Sequence, residues 1–323
     1  MLENKILILA DERIGTYSQA VALAKESGLN YEIIFLEYNF LKSIPNLFFS
    51  QSLIRLKKSS ITQLKSLNYT PKYIISAGRK SAPIAIFLKK NYNFLPKIIQ
   101  IMRPEINLNK FDFVIVPEHD EPKPPYPKNL ILSIGALTKI TPNYEEKNYQ
   151  DFLNQFQNLQ KPIIALLLGG STKKTKFSLK TAQNLINQIL LIQKNMNATL
   201  IIANSRRTSF EINNFIKKIT QKNLIFFDYN EVKNNNPFSS ILNFANFFVI
   251  SGDSVSMISE CCSTEKSVFI FDDGIISSKK HQKFHKILIE KKYAKYFDNK
   301  CLKFNAFKPP KLDEVKRISQ IVF

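Results

Sequence analysis

The sequence predicts an α/β protein with two doubly wound, Rossmann-like domains, each built on a parallel sheet and facing the other across a cleft. The chain has 323 residues, which suits about two domains of ordinary size. Hydrophobic residues make up 44% and aromatic residues 12%, enough for each domain to bury a core. Short apolar runs alternate with helical stretches in two successive series, as is typical of strands joined by crossover helices in a parallel sheet.

The first series contains five predicted strands with helices between them. A helix over 18–27 places Ala20 and Leu23 on one face. A second helix over 82–90 tolerates Pro83 in its first turn. The predicted strands are 5–10, 32–38, 73–77, 97–102 and 111–117.

A polar, amide-rich segment, 143–160, separates the first series from a second one. The last helix, predicted over 313–322, has an apolar face suited to return to the first domain. The strands predicted in the second series are 162–168, 199–203, 224–228, 247–251 and 267–271.

These patterns predict three parts of the chain. The first domain is expected over 1–142. The second domain is expected over 158–297. A C-terminal return segment over 298–323 is expected to pack on the first domain.

The net charge permits binding to polyanions. Lys and Arg number 46 against 26 Asp and Glu, which gives +20. This excess attracts nucleic acid, an anionic membrane face or phosphorylated substrates. The lysines are spread along the chain, however, and an AT-rich genome also produces this composition. A nucleic-acid binder would need basic and aromatic residues gathered in one cluster, and the sequence has no such cluster, so we expect no nucleic-acid partner. The net charge is only weak evidence for binding to the inner-membrane surface.

Cysteine content and run lengths favour a cytoplasmic protein, soluble or peripheral on the inner membrane. The three cysteines, two of them adjacent at Cys261 and Cys262, form no disulfide framework and no CxxC motif. The apolar run at the start is too short for a signal peptide, and no run approaches the roughly 18 residues of a membrane span.

The stretch SGDSVSMISE, residues 251–260, follows an apolar run and predicts a helix with a polar stripe. Asp253, Ser256 and Glu260 fall on that stripe. Asp253 or Ser254 is a suitable N-cap, and a helix N-terminus just past a strand binds anions such as a diphosphate. An ordinary capped helix with a solvated face is the alternative.

The other strand ends of the second domain are also polar. Gly169 and Gly170 allow backbone N–H groups to approach a phosphate, and paired arginines offer forked donors to it. Glu260 is suited to accept both hydroxyls of a ribose. The candidate nucleotide-binding residues are Gly169, Gly170, Ser171, Ser205, Arg206, Arg207, Asn236, Asp253, Ser254, Ser256 and Glu260.

Several known fingerprints are absent. The sequence has no GxGxxG, no GxxxxGK[ST] and no DxD motif, so we expect neither a cofactor nor a metal. His281 and His285 are spaced i and i+4, but the zincin glutamate and a third ligand are missing. A pair of surface or interface histidines is favoured over a metal site.

In the first domain, His119 is the only histidine at a predicted strand end. Carboxylates flank it at Glu118 and Asp120, which suits a general base oriented by an acid. A hydrogen-bonded loop histidine is the alternative. Gly78 and Arg79 follow another predicted strand of this domain.

A family resemblance rests on blocks that occur in order from roughly residue 10 to 297. They include SAGRKSAPIAIFLKK, FDFVIVPEHDEP, LLLGGST, NSRRTSFE, NNNPFSSILNFANFFVISGDSVSMISECC and KFHKILIEK. The chain resembles the mitochondrial fission Elm-like family, which is grouped with the proposed GT-B glycosyltransferases. Its second domain is also similar in plan to the peptidoglycan N-acetylglucosaminyltransferase that acts on a lipid carrier.

The match to the family is incomplete in the first loop. Gly15 and Gln19 agree with the family pattern, but Thr16 stands where the family commonly has a histidine. This departure places the base role on His119, with Asp120 or Asp11 as the alternative.

The resemblance implies a GT-B glycosyltransferase that transfers a sugar from a nucleoside-diphosphate sugar to a lipid-linked or lipopolysaccharide-core acceptor without a metal. It also implies that the first domain is the acceptor side and that the second domain binds the donor nucleotide. The acceptor-side candidates are Gly15, Gln19, Gly78 and Arg79. Two other functions stay open. A nucleotide-binding or membrane-morphology protein would keep the pocket without a working base. A sugar-nucleotide epimerase of GT-B-like fold would need no acceptor.

Overall fold

The computed structural model describes residues 2–11, 13–46, 51–138, 147–172, 175–232 and 235–323. The chain divides into two compact units. Unit 1 comprises Met1–Lys139 and Asp313–Phe323, and unit 2 comprises Ile140–Leu312.

Unit 1 is built on a six-stranded sheet in the order β2-β1-β3-β4-β5-β6, in which every pair of neighbours is parallel. Neighbouring strands can all run parallel because each connection crosses over the sheet, through a helix or a loop, before the next strand begins. The strands are β1 (Leu2–Ala10), β2 (Asn30–Phe35), β3 (Thr70–Ala77), β4 (Lys97–Ile101), β5 (Phe113–Pro117) and β6 (Leu130–Ser133); the helices are α1 (Ile14–Ser27), α2 (Lys58–Lys65) and α3 (Ala82–Asn91).

Both faces of this sheet are buried, as a parallel sheet requires. Ile6 and Ile8 of β1 pack on one face with α1. Leu7 and Leu9, which point the other way, pack with α3 on the opposite face. The alternation of strand side chains therefore supplies two apolar layers from one short run.

Unit 2 has a second six-stranded parallel sheet, in the order β12-β11-β10-β7-β8-β9. Its strands are β7 (Ile163–Leu167), β8 (Thr199–Ala203), β9 (Leu224–Phe227), β10 (Phe247–Ser251), β11 (Ser267–Phe271) and β12 (Lys295–Tyr296). Its helices are α4 (Lys147–Gln157), α5 (Leu179–Asn195), α6 (Phe210–Lys217), α7 (Tyr229–Val232), α8 (Phe238–Phe244), α9 (Val255–Cys262) and α10 (Lys279–Glu290).

The predicted α/β class with two doubly wound parallel sheets is confirmed. Three elements were not predicted. Strands β6 and β12 are short and their patterns are weak. The segment 143–160, expected as a polar boundary, contains α4, because its sparse apolar residues include Phe156, which is buried against Phe227.

The expected return of the last helix to unit 1 is also confirmed. Helix α11 (Glu314–Val322) buries Val315, Ile318 and Val322 in the same core cluster as α1. Glu314 accepts a 2.8 Å hydrogen bond from the Ile134 amide and so joins this helix to the loop after β6.

The expected return segment 298–323 needs a correction, because its first part belongs to unit 2. Phe304 stacks on Phe269 with ring centroids 4.6 Å apart. The Phe307 amide donates to Ser267 Oγ at 2.9 Å. These aromatic contacts hold residues 298–312 in unit 2, so the return begins at Asp313.

Candidate functional site

The strand order of unit 2 brings three polar loops to one edge of its sheet. Strand β7 lies between β10 and β8, and all three are parallel. Their carboxyl ends therefore meet, and this edge is where open α/β sheets bind ligands. The three loops begin at Leu168, Asn204 and Gly252.

Asp253 is buried among these loops and organises them. Its Oδ1 accepts a hydrogen bond from Ser251 Oγ at 2.7 Å, and its Oδ2 accepts one from the Gly170 amide at 2.9 Å. Arg207 Nη2 forms an ion pair with Oδ2 at 2.8 Å. The Asp253 side chain is 0% exposed, whereas that of Arg207 is 36% exposed.

A buried carboxylate is stable only when donors surround it. The expectation that Asp253 caps α9 is wrong, and direct contact of Asp253 with a nucleotide stays a prediction. Its oxygens are occupied by Ser251, Gly170 and Arg207, and its role is to position Arg207, which keeps an accessible surface.

Gly169 and Gly170 are required for close packing. A Cβ atom on Gly169 would lie 2.1 Å from the Asp253 carboxylate, and one on Gly170 would lie 2.0 Å from the Arg207 carbonyl oxygen. The Gly169 amide donates to Ser251 Oγ at 2.7 Å, and the Gly170 amide donates to Asp253. We therefore correct the expectation that these amides face a phosphate, because the buried Ser251 and Asp253 take them as donors.

The N-terminus of α9 has no side-chain cap within the described part of the chain. Ser254 occupies the N-cap position in an extended conformation, but its hydroxyl makes no capping hydrogen bond. Asp253 is engaged elsewhere. The first-turn amides, which include that of Ser256, carry the positive end of the helix dipole and suit an anion.

Glu260 lies at the other end of α9 and retains some exposed surface. Burial of its carboxyl group raises its pKa from 4.5 to about 7. This group is therefore in a desolvated environment and ready to gain from a hydrogen-bonding ligand.

The remaining candidates of unit 2 are placed as follows. Ser171 Oγ accepts from the Phe177 amide at 3.0 Å, and Ser205 Oγ accepts from the Arg207 amide at 3.2 Å. Asn236 Oδ1 accepts from the Phe238 amide at the start of α8. Arg206 is exposed beside Arg207. The three polar side chains accept hydrogen bonds from backbone amides of their own loops, and Arg206 and Arg207 are the cations among these candidates.

Two histidines that sequence reasoning assigned to a surface or interface belong to this region. His285 on α10 is fully buried, and its Nδ1 lies 2.9 Å from Asp272 Oδ2 at the end of β11. Its ring also packs against Gly252. The sequence did contain a signal for this pair, because His285 follows His281 by four residues and Asp272 stands at the end of the preceding strand.

In unit 1, Asp11 is held by Arg13. Asp11 Oδ2 accepts from Arg13 Nη2 at 2.6 Å and from Nε at 2.8 Å, and Oδ1 accepts from the Arg13 amide at 3.0 Å. The Asp11 side chain is 1% exposed. Both Asp11 oxygens are occupied and buried and offer no free face to an acceptor hydroxyl, so Asp11 is unsuited to the base role that we expected as an alternative.

The remaining candidates of unit 1, in the first loop and after β3, have these contacts. Gln19 is buried, its amide nitrogen donates to the Gly15 carbonyl at 2.9 Å, and its oxygen accepts from the Leu137 amide at 3.1 Å. Gly78 has φ +77, and a Cβ atom there would lie 3.0 Å from Arg13 Nη2. Arg79 is exposed and pairs with Glu105 at 3.3 Å.

His119 lies in a single 3-10 turn, Glu118–Asp120, directly after β5. It is partly exposed, and Asp120 has an oxygen 3.9 Å from Arg103 Nη1. Strand β5 is three positions from β1 in the sheet, which separates His119 from Asp11 by roughly 14 Å at the usual strand spacing. The two candidate bases therefore do not act together.

No group of three or more His, Cys, Asp or Glu residues in the described ranges could hold a metal ion. Among the described helices, none is both long enough and apolar enough to cross a membrane.

Residues 14–323 match the protein family described as "Mitochondrial fission ELM1". The chain belongs to the ELM1 family. Its relatives include uncharacterized protein RP120 of Rickettsia prowazekii, which is 29% identical over 98% of this chain and 97% of its own length. The mitochondrial fission protein ELM1 of Arabidopsis thaliana is 27% identical over 62% of this chain and 51% of its own length.

Solved structures show the fold class to which this ELM1 member belongs. UDP-GlcNAc 2-epimerase of Methanocaldococcus jannaschii has a TM-score of 0.55 at 14% identity, over 98% of this chain and 99% of the other. Arabidopsis thaliana UGT89C1, solved in complex with UDP, has a TM-score of 0.51 at 8% identity, over 98% and 90%. The ELM1 chain therefore has a GT-B type fold.

Proposed function

We propose that this ELM1 protein is a GT-B glycosyltransferase that moves a sugar from a nucleoside-diphosphate sugar to a cell-envelope acceptor. The acceptor class is a lipid-linked or lipopolysaccharide-core sugar. Fixed protein charges, without a metal, stabilise the departing nucleotide in this proposal.

One observation carries the proposal. The N-terminus of α9 has no side-chain cap among the described residues, and Arg207 is held at the same sheet edge by a buried carboxylate. Helix amides and a guanidinium together suit a diphosphate, since each donates charge-assisted hydrogen bonds to its oxygens. Two fold neighbours, UGT89C1 and the Staphylococcus aureus protein MnaA, were solved with UDP bound, which supports a nucleotide at this kind of site.

The remaining roles follow from charge. Glu260, when ionised, accepts the two ribose hydroxyls. Arg207 and the α9 dipole stabilise the negative charge that develops on the leaving diphosphate. His119 is the candidate base for the acceptor hydroxyl, and the engagement of Asp11 by Arg13 leaves Asp120 as the alternative.

A second candidate function is a sugar-nucleotide epimerase. Several fold neighbours are UDP-GlcNAc 2-epimerases, and such a reaction needs no acceptor. A third, non-catalytic nucleotide binder is favoured by Thr16 in the first loop, where the family commonly has a histidine.

Calorimetry with UDP, uridine and UDP-sugars tests the nucleotide site. UDP is expected to bind much more tightly than uridine, because the proposed site recognises the diphosphate. Arg207→Gln combined with Asp253→Asn removes the cation without leaving a buried charge, and we expect about a 10-fold or greater loss of UDP affinity. Lys286→Gln, which removes a 73% exposed charge from α10, is the control and should change affinity by less than about 2-fold. Equal binding of UDP and uridine would contradict the proposal.

Product analysis then separates the reactions. Transfer to an acceptor supports the transferase, a changed sugar nucleotide without acceptor supports the epimerase, and binding without either supports the non-catalytic protein. In a transferase, His119→Gln should lower turnover by about 10²–10⁴-fold at unchanged UDP affinity. Turnover near the wild-type rate would remove His119 from the mechanism.

A further inference from the structure

Helix α10 carries two histidines one turn apart, and neither has a part in the site as described so far. They are His281 and His285. The chain has only three histidines in all. His285 packs against Gly252, just before the start of α9, and His281 lies one helical turn away from it.

His285 is fixed in one orientation. Burial opposes ionisation of Asp272, but hydrogen bonds from His285, Ser277 and the Gly274 amide hold the pKa of this carboxyl below its ordinary value. An ionised Asp272 at 2.9 Å keeps the proton of the neutral ring on Nδ1. Nε2 is then the free atom, and it is buried without a hydrogen-bond partner among the described residues.

The ring of His285 lies against the turn that leads into α9. A Cβ atom on Gly252 would be 2.7 Å from Cε1 and 3.3 Å from Nε2 of His285. Gly252 directly precedes Asp253 and the N-cap Ser254. His285 therefore sets how closely α10 approaches the start of α9, since only a glycine leaves room for the ring.

His281, one turn earlier, is partly exposed, and its Nδ1 is buried without a partner in the described part of the chain. Burial lowers its pKa, and so do the charges of His285 and Arg207, while Asp253 and Asp272 act in the opposite direction. Every charge that acts on His281 therefore belongs to the Asp253 site or to the Asp272–His285 pair.

We propose that His281 is a ligand of the anion held at the N-terminus of α9, and that His285, anchored by Asp272, is the positioning residue that seats α10 against that site. The proposal rests on the proposed function, because the anion in question is the diphosphate of the nucleotide. It adds a titratable donor to a site that otherwise consists of Arg207 and backbone amides.

The proposal fixes the sign of a pH effect. In the free protein, burial and the charge of the neighbouring Arg207 lower the pKa of His281 and so favour its neutral form near pH 7. A bound diphosphate brings negative charge to the ring and raises its pKa. Binding therefore takes up a proton, and affinity falls as pH rises through the range of the free and bound pKa values.

Inorganic pyrophosphate is the probe that tests this, because it has no ribose and no sugar. Imidazole resonances of the three histidines are followed by NMR during pH titration, with and without saturating pyrophosphate, and are assigned by His→Gln variants. We expect the pKa of His281 to rise when pyrophosphate binds. That of His119, which lies in unit 1, should stay unchanged.

Variants give the matching affinities. His281→Gln should weaken pyrophosphate binding by about 10-fold at pH 6 and by less than about 2-fold at pH 8. Lys286→Gln, which removes a 73% exposed charge from the same helix, is the control and should leave affinity unchanged. Asp272→Asn should reduce the rise in the pKa of His281 that pyrophosphate causes, because α10 would no longer be anchored against the site. The direct loss of a negative charge would lower the free and the bound pKa of His281 alike and leave that rise unchanged.

Two results would overturn the proposal: a pKa of His281 that does not respond to pyrophosphate, or equal losses from His281→Gln at pH 6 and pH 8. Failure of the proposed function looks different. Pyrophosphate would then bind with the His281 response, while no sugar nucleotide is turned over.

Discussion

At the scale of the residue, Glu260 makes the stability of the protein depend on pH. Its pKa in the folded protein is about 7 against an ordinary value of 4.5. Below pH 4.5 the carboxyl is protonated in both states. As pH rises to about 7 the unfolded chain ionises first, so the free energy of unfolding falls across this window.

Glu260→Gln should remove this pH dependence. Because the residue keeps some exposure, we expect the wild type to lose only about 1–3 kcal/mol relative to the variant between pH 4.5 and 7. Urea unfolding at several pH values measures the free energy of unfolding of both proteins. Parallel pH profiles for the two proteins would show that the carboxyl is solvated.

The same carboxyl should release a proton when UDP binds near pH 6.5, because ribose hydroxyls favour its ionised form. Calorimetry in buffers of different ionisation enthalpy counts the protons. The release should disappear in Glu260→Gln and with 2′-deoxy-UDP as the ligand. This sign is opposite to the uptake proposed for His281, so the two groups can be told apart.

At Gly170, steric hindrance excludes any residue with a Cβ atom unless the loop shifts. Substitution of Gly170 by Ala would place Cβ 2.0 Å from a backbone oxygen of Arg207, and the loop must shift. We expect a loss of about 1–3 kcal/mol or more, together with weaker nucleotide binding. Gly28→Ala is the control: φ there is +72 but nothing lies within 4 Å, so only about 1 kcal/mol of backbone strain applies. Equal losses at the two sites would contradict a steric role for Gly170.

At the scale of the element, α11 ties the C-terminus to unit 1. Ile318 is 0% exposed in the core shared with α1, and Ile321 on the same helix is 49% exposed. Helix α11 therefore stabilises unit 1 through one face only.

Ile318→Ala should cost about 2–5 kcal/mol, because a buried isoleucine leaves a cavity. Ile321→Ala should change the free energy of unfolding by no more than about 0.5 kcal/mol. Urea unfolding of both variants measures the difference. Similar small effects would mean that α11 does not pack on unit 1 in solution.

At the scale of the whole molecule, the net charge of +20 is the feature with an untested consequence. Lysines near an anionic surface contribute about 1 kcal/mol each, and the attraction is screened as the Debye length falls to about 3 Å at 1 M salt. If the acceptor is lipid-linked, the protein should sediment with anionic vesicles at low salt and leave them at high salt. If equal amounts of protein sediment with neutral and with anionic vesicles, the excess of lysine reflects genome composition and not membrane binding.

Local patterns in the sequence were sufficient to predict most strands of the two sheets. Apolar runs such as 199–203, 247–251 and 267–271 coincide with strands β8, β10 and β11, because a strand buried on both faces needs an unbroken apolar run. The last helix was predictable for a similar reason, since its apolar face has helical spacing. Strands β6 and β12 were not, because two to four residues carry too little pattern.

The candidate site was only partly predictable, because partners distant in sequence decide each side chain's role. The polar character of the strand ends, and a helix that begins directly after β10, follow from the sequence alone. The order β10-β7-β8 is a tertiary fact, and it turns Asp253 inward to Gly170 and Arg207. It is likewise the packing of α10 on Gly252 that buries His285 against Asp272. Sequence sets which groups stand at the sheet edge, whereas tertiary contacts decide which of them satisfy buried neighbours and which remain for a ligand.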